Sequence, residues 1–184
     1  MTDKRAERDA RSRMTRHEPL RYGWRGQEPP HLTDDCDDRF IRELAELLAN
    51  QQFLAENLDW KNRDKYMRRT RMFIRQKMDR IREGHAYPRS DIRSLELADE
   101  QGIPLFEMRW HRTMYLREDD KQDEHIRQYC AEPDDMPGWV FGLVVHFKNV
   151  NGQDEKKIHE EQDEHIRDAI TRYRDNARIG WSRP

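Results

Sequence analysis

Cysteine is nearly absent from this chain: Cys36 and Cys130 are its two thiols, and neither belongs to a CxxC pair. That excludes a disulfide framework and a thiolate zinc site, and it fits a reducing cytoplasm. Long apolar runs are missing too. With 34% hydrophobic and 39% charged residues, no stretch approaches the ~20 apolar residues of a membrane span. The stretch MTDKRAERDARSRMTRHE has no apolar segment of signal-peptide type, so a cytoplasmic protein without membrane attachment is expected. A dominant charge sign is lacking as well: the formal net charge is −2, which argues against a generic polyanion binder. Glycine-rich phosphate loops and GxSxG elbows are absent. His159 and Glu160 lack the second histidine of HExxH, and the acidic residues nowhere take calcium-loop spacing. The expectation is no metal and no cofactor.

What is present is concentrated. So small an apolar share in 184 residues predicts one core. Residues 1–32, rich in both charges and carrying Pro19, Pro29 and Pro30, read as a mobile arm that cannot offset its own ordering entropy. Within it, Leu20, Tyr22 and Trp24 alternate at strand period, marking 20–24 as either a short docked strand or a local aromatic anchor. Residues 33–180 read as a single α+β domain. Thr33 is a helix N-cap followed by Asp34, Asp35, Asp37 and Asp38, negative charge where the helix dipole favours it. Phe40, Ile41, Leu44, Leu47, Leu48, Phe53 and Leu54 then keep helical spacing to about Asp59. A second helix, Lys61 to Glu83, buries Tyr66, Met67, Thr70, Phe73, Ile74, Met78 and Ile81 and stops at Gly84. The two form a helical hairpin over 34–84.

The solvent face of that second helix is basic. KNRDKYMRRTRMFIRQKMDRIR holds ten Lys or Arg against two Asp, and Arg68, Arg69, Arg71 and Arg75 would attract a phosphate backbone. A solvated, charge-paired face is the plainer meaning of the same run. The excess of arginine over lysine is compatible with phosphate contact and equally with a GC-rich genome.

Beyond Pro88 the period becomes two. LFEMRWH sets Phe106, Met108 and Trp110 against Glu107, Arg109 and His111. HIRQYCA sets Ile126, Gln128 and Cys130 against His125, Arg127 and Tyr129, and WVFGLVVHFK sets Trp139, Phe141, Leu143, Val145 and Phe147 against Val140, Gly142, Val144, His146 and Lys148. These are strands of a sheet over 104–148, joined by an acidic loop, Glu118 to Glu124, and by the turn EPDDMPG. A long helix over 153–178 follows, with Ile158, Gln162, His165, Ile166, Ala169, Ile170 and Tyr173 on one face. The predicted architecture is a small antiparallel sheet of three to four strands whose apolar face is covered by the hairpin and the C-terminal helix.

The opposite face would then be open to water, gathering Glu107, Arg109, His111, Arg127, Tyr129, His146 and Lys148. Such a set suits phosphodiester chemistry. Arginine and lysine stabilise charge on the phosphorus oxygens, and His146 or His111 moves a proton near neutral pH. Tyr129 serves as a proton donor or a base-stacking platform. RNA supplies its own nucleophile, the 2′-hydroxyl, so no metal is required. An ordinary solvated sheet face is the plain alternative.

The succession RSLELADEQGIPLFEMRWHRT, HIRQYCAEP, WVFGLVVHFKNVNGQ, KKIHEEQDEHIRDAITRYR resembles the RelE/ParE toxin superfamily, especially its HigB-like and phage-borne branches, over about residues 91–178. The resemblance implies a metal-independent, ribosome-dependent mRNA endoribonuclease restrained by an antitoxin partner. It places the functional arginines at Arg109 and Arg127 and the functional lysine at Lys148. Glu107 and Asn149 depart from the pattern, standing where basic residues are common. Family members also include gyrase-directed toxins. A non-catalytic nucleic-acid- or protein-binding module using the basic helix is the other reading.

The string QDEHIR occurs twice, at 122–127 and 162–167. Its surroundings predict a strand entry for the first copy, with Ile126 inward and Arg127 outward, and a helix for the second, with His165 and Ile166 leaning to the buried side. Arg127 is the functional residue of the pair and Arg167 a solvated charge.

Overall fold

The computed structural model describes residues 4–16, 19–25, 36–56, 59–115, 121–148 and 155–181. The predicted N-cap Thr33 and residues 118–120 of the acidic loop lie outside them, while residues 121–124 of that loop belong to β4. In chain order the elements are α1 (Lys4–Asp9), a 3-10 turn (Arg13–Thr15), β1 (Arg21–Trp24), α2 (Cys36–Glu56), α3 (Trp60–Arg82), β2 (Ile92–Ser94), α4 (Glu96–Asp99), β3 (Leu105–Tyr115), β4 (Lys121–Ala131), β5 (Trp139–Phe147) and α5 (Glu155–Arg178). No described helix is long and apolar enough to cross a membrane.

The α+β class stands, but the sheet has five strands in the order β1-β5-β4-β3-β2. It is mixed, because β1 runs parallel to β5 while the other pairs are antiparallel. The edge strand β1 is the docked strand that the alternation of Leu20, Tyr22 and Trp24 offered as one of two readings. The other edge strand, β2, has three residues, too few for a period of two to stand out against chance.

Local signals set the hairpin. The Asp59 side chain accepts a hydrogen bond from Asn62 N at 2.8 Å and caps α3. Gly84 ends that helix region with φ 73°, a conformation glycine takes without strain. The apolar stripes Phe40, Leu44, Leu48, Tyr66, Ile74 and Met78 pack on Met108, Trp110, Ile126, Cys130, Val140 and Val145 of the sheet. Each large side chain buried there contributes about 1.5–3 kcal/mol. A polar knot lies within this layer. Arg112 Nε donates to Glu124 Oε2 at 2.6 Å, Arg112 Nη2 donates to Tyr66 OH at 2.8 Å and Thr70 Oγ1 at 3.0 Å, and Tyr66 OH donates to Glu124 Oε1 at 2.8 Å. Glu124, assigned to a loop by composition, is thus a buried strand residue.

The largest correction concerns α5, which covers the other face of the sheet. Ile166, Ala169 and Ile170, together with Trp181 beyond the helix, pack on Leu105, Tyr129, Ala131, Phe141, Leu143 and Val144. The expected arrangement left this face, with Tyr129 and Val144, open to water and sent Phe141 and Leu143 to the opposite face. The cause of the miscount is a β-bulge. Cys130 pairs with Gly142 but Tyr129 pairs with Val144, so Leu143 is an extra residue and the side-chain parity of β5 inverts there. Trp139, Phe141 and Leu143 face α5, whereas Val145 and Phe147 face the hairpin.

Residues 9–14 dock as well, within the segment expected to be a mobile arm. Asp9 Oδ1 accepts from Ser94 N at 2.7 Å and Ser94 Oγ at 2.9 Å. Ser12 Oγ donates to buried Glu132 at 2.5 Å, and the Arg13 guanidinium donates to the carbonyls of Pro133, Met136 and Trp139. Met14 is wholly buried. Long-range polar partners, invisible to local composition, hold this segment against the turn before β5.

Candidate functional site

Main-chain direction fixes which side chains meet on the α5 side of the sheet. Arg109 N donates to Asp91 O and Lys148 N to His125 O, both away from the β3–β4 seam. The opposed pairs Glu107–Tyr129, Arg109–Arg127, His111–His125 and Thr113–Asp123 are therefore of the non-hydrogen-bonded kind, whose side chains approach most closely. Three of the pairs contain residues that sequence alternation had gathered.

Arg109 opposite Arg127 sets like charges across a ladder, an unfavourable arrangement on its own. Glu107 resolves it. Its carboxylate, fully buried, lies 2.7 Å from Arg127 Nε and 3.1 Å from Arg109 Nη2. Both guanidiniums are thus engaged from beneath, and their side chains keep only 13% and 22% exposure. Burial pulls Arg127 below the usual guanidinium value, with Glu107 opposing. Glu107 is a structural counter-ion rather than a member of an open phosphate clamp.

Tyr129 and His146 are not on an open surface either. Tyr129 is fully buried and His146 is stacked on His165 of α5 at 4.0 Å between ring centroids. Because the Phe147 carbonyl only accepts, His146 Nδ1, 3.1 Å away, carries the proton, and Nε2 accepts from Tyr129 OH at 3.3 Å. Burial, and then His165, lower the His146 pKa to about 4. Burial pushes the Tyr129 phenol well up. Both groups are neutral and hydrogen-bonded to each other at pH 7; Tyr129 is enclosed, whereas half-buried His146 borders a cavity that His165, Asp168 and Arg172 also line.

The accessible part of the face lies further along the β3–β4 hairpin. His111 is exposed and His125 half-exposed, their rings stacked 4.5 Å apart. Lys148 and the outer edges of Arg109 and Arg127 border them. Burial, His111 and the cations Arg127 and Lys148 lower the His125 pKa, so its imidazole is neutral at pH 7. His125 was missed as a site residue. The alternation that selected Arg127 and Tyr129 had already placed it beside them. His125 and His165, the histidines of the two QDEHIR copies, stack on different partners, His111 and His146.

The basic residues of α3 form a separate surface. Arg68, Arg69 and Arg75 are exposed, while Arg71 lies 3.7 Å from Glu46. Arg69 Nη1 donates to Tyr115 O at 3.3 Å, at the far end of β3. Since the hairpin and α5 occupy opposite faces, the sheet stands between this stripe and the histidine pair. Arg167, in the second QDEHIR, is exposed beside Asp163.

No protein-family model, no curated protein and no solved structure matches the chain. The functional reading rests on the residues themselves.

Proposed function

We propose that the chain is a RelE-like translation inhibitor that binds mRNA on the sheet face around His111 and His125 and cleaves it without metal. The observation that supports this is the stacked, accessible histidine pair, set among Arg109, Arg127 and Lys148. Neutral His125 takes the proton of the RNA 2′-hydroxyl as O2′ attacks phosphorus. The P–O5′ bond breaks, and O5′ receives a proton from His111. A 2′,3′-cyclic phosphate and a 5′-hydroxyl result. Lys148 and Arg109 stabilise the charge on the non-bridging oxygens. Arg127, Tyr129 and His146, first chosen for catalysis, act in this scheme through the support they give the face. The ribosome presents the mRNA, and an antitoxin protein is the partner that would cover the face.

Inducible expression in bacteria, with mapping of mRNA ends, tests the proposal. Wild type should arrest growth and leave cyclic-phosphate ends. His111→Ala and His125→Ala should each reduce cleavage by about 10²–10⁴, the usual contribution of a positioned acid or base. Unimpeded growth, or variants as toxic as wild type, overturns it.

A second reading has its own support. Glu107 neutralises both arginines from below, whereas α3 presents Arg68, Arg69 and Arg75 to solvent. On that account the chain is a non-catalytic module that grips a nucleic-acid backbone through α3. It predicts RNA binding without new RNA ends.

A further inference from the structure

We infer that His111 and His125 form a two-imidazole site for a borderline divalent transition ion, and that occupation of it silences this sheet face. The silencing rests on the reading above; the binding does not. Four observations carry the site. The two residues are directly opposed across β3–β4 in a close, non-hydrogen-bonded pair. Their ring centroids are 4.5 Å apart with a 29° tilt, a separation that one ion can bridge through Zn–N bonds of ~2.0–2.1 Å once the rings turn their in-plane nitrogens toward it. Both side chains reach solvent, which gives an ion an entry path. Among the described residues, neither imidazole has a hydrogen-bond partner, leaving all four ring nitrogens uncommitted.

The chain carries its own contrast. His146 and His165 stack even closer, at 4.0 Å, but both nitrogens of His146 are held, one at the Phe147 carbonyl and the other at Tyr129 OH. Proximity alone does not make a ligand pair; free lone pairs do, and only the outer pair has them on both rings.

Among the described residues, no group of three or more His, Cys, Asp or Glu converges to hold an ion. Asp123, on the same face, accepts from Thr113 Oγ1 at 2.6 Å through one carboxylate oxygen. The protein thus supplies two ligands, and the remaining positions fall to water or to an anion drawn by Lys148 and Arg109. Imidazole donors select Zn²⁺, Ni²⁺ or Cu²⁺ over Mg²⁺ and Ca²⁺, which demand oxygen. The neighbouring cations oppose a dication, which weakens its binding. An ion bridging both rings would occupy the two groups assigned to proton transfer.

Zn²⁺ titrated calorimetrically into the full chain, with imidazole nitrogens followed by NMR, tests the site. One saturable Zn²⁺ per chain is expected, with none for Mg²⁺ at the same concentration. His111→Ala and His125→Ala should each weaken it by more than the ~10-fold that even an outer-shell change costs a metal site. His159→Ala, exposed on α5, should leave it unchanged, and circular dichroism confirms that each variant is folded. Equal binding in both single variants, equal binding of Mg²⁺, or no saturation at millimolar Zn²⁺ overturns the site. The RNA assay is read separately. If the chain does not cleave RNA, the functional reading fails while the titration still decides the metal site. If it cleaves RNA and binds Zn²⁺ at these histidines yet is not inhibited, the silencing is wrong.

Discussion

Glu107 holds in place two arginines that strand register forces into opposition. Replacing it by alanine leaves both guanidiniums uncompensated in a buried setting, and removing one partner of such a cluster typically costs about 3–5 kcal/mol. Glu107→Ala should therefore lower the urea midpoint sharply, while Glu107→Gln, which still accepts hydrogen bonds, should lose less. From sequence this residue looked like a missing cation. Its carboxylate explains instead why Arg109 and Arg127 coexist. His146 carries a second prediction at this scale. Its folded pKa, about 4, lies below the ~6.5 of a free imidazole, so the unfolded chain binds this proton more readily. The contribution is fully present above about pH 6.5 and is lost as pH falls toward 4, a loss of order 2–3 kcal/mol. Urea unfolding at pH 7.5 and pH 5 should reveal that loss, and His146→Phe should show a smaller change over the same interval.

Elements were legible in proportion to how local their signals are. The α2–α3 hairpin and α5 follow the 3.6 period, and β3, β4 and the first half of β5 follow the period of two, because each pattern is written in consecutive residues. The bulge at Leu143 is not. One extra residue in an otherwise apolar run, Val140 to Val145, leaves no polar marker of the inversion, so Leu143 and Val145 were assigned to one side, while His146 was grouped with Arg127 and Tyr129 on a face expected to be open and covered instead by α5. The covering of that face by α5 went unseen because β5 is apolar on both sides. Gly142 makes this region testable. A Cβ there would stand 2.5 Å from Gln128 Nε2 and 2.7 Å from the Trp24 ring, so β1, β4 and β5 meet with no room to spare. Gly142→Ala should cost about 1–3 kcal/mol through overpacking, read as a fall in the thermal midpoint. An unchanged midpoint would mean that β1 packs more loosely than these contacts require.

On the scale of the whole molecule, the sheet divides charge into two surfaces that cannot serve one phosphate. The histidine pair with Lys148 lies on the α5 side, and Arg68, Arg69 and Arg75 lie beyond the hairpin. Sequence supplied both lists but no means of placing them, since faces are assigned by packing between segments far apart in the chain. The separation gives the two functional readings different salt signatures. Neutralising phosphates releases counterions, so each lost contact reduces the steepness of log K against log salt by ~0.7 for a single strand. The triple substitution Arg68→Glu, Arg69→Glu, Arg75→Glu should flatten that slope by about 2 if α3 grips the backbone. It should leave cleavage at saturating RNA unaltered if the chemistry belongs to His111 and His125. Lys148→Ala should do the reverse, changing the slope by less than one contact while depressing the cleavage rate. Measuring both quantities for both variants separates a cleaving face with an accessory grip from a grip alone. In the second case the triple substitution abolishes binding, and wild type generates no new RNA ends at any salt concentration.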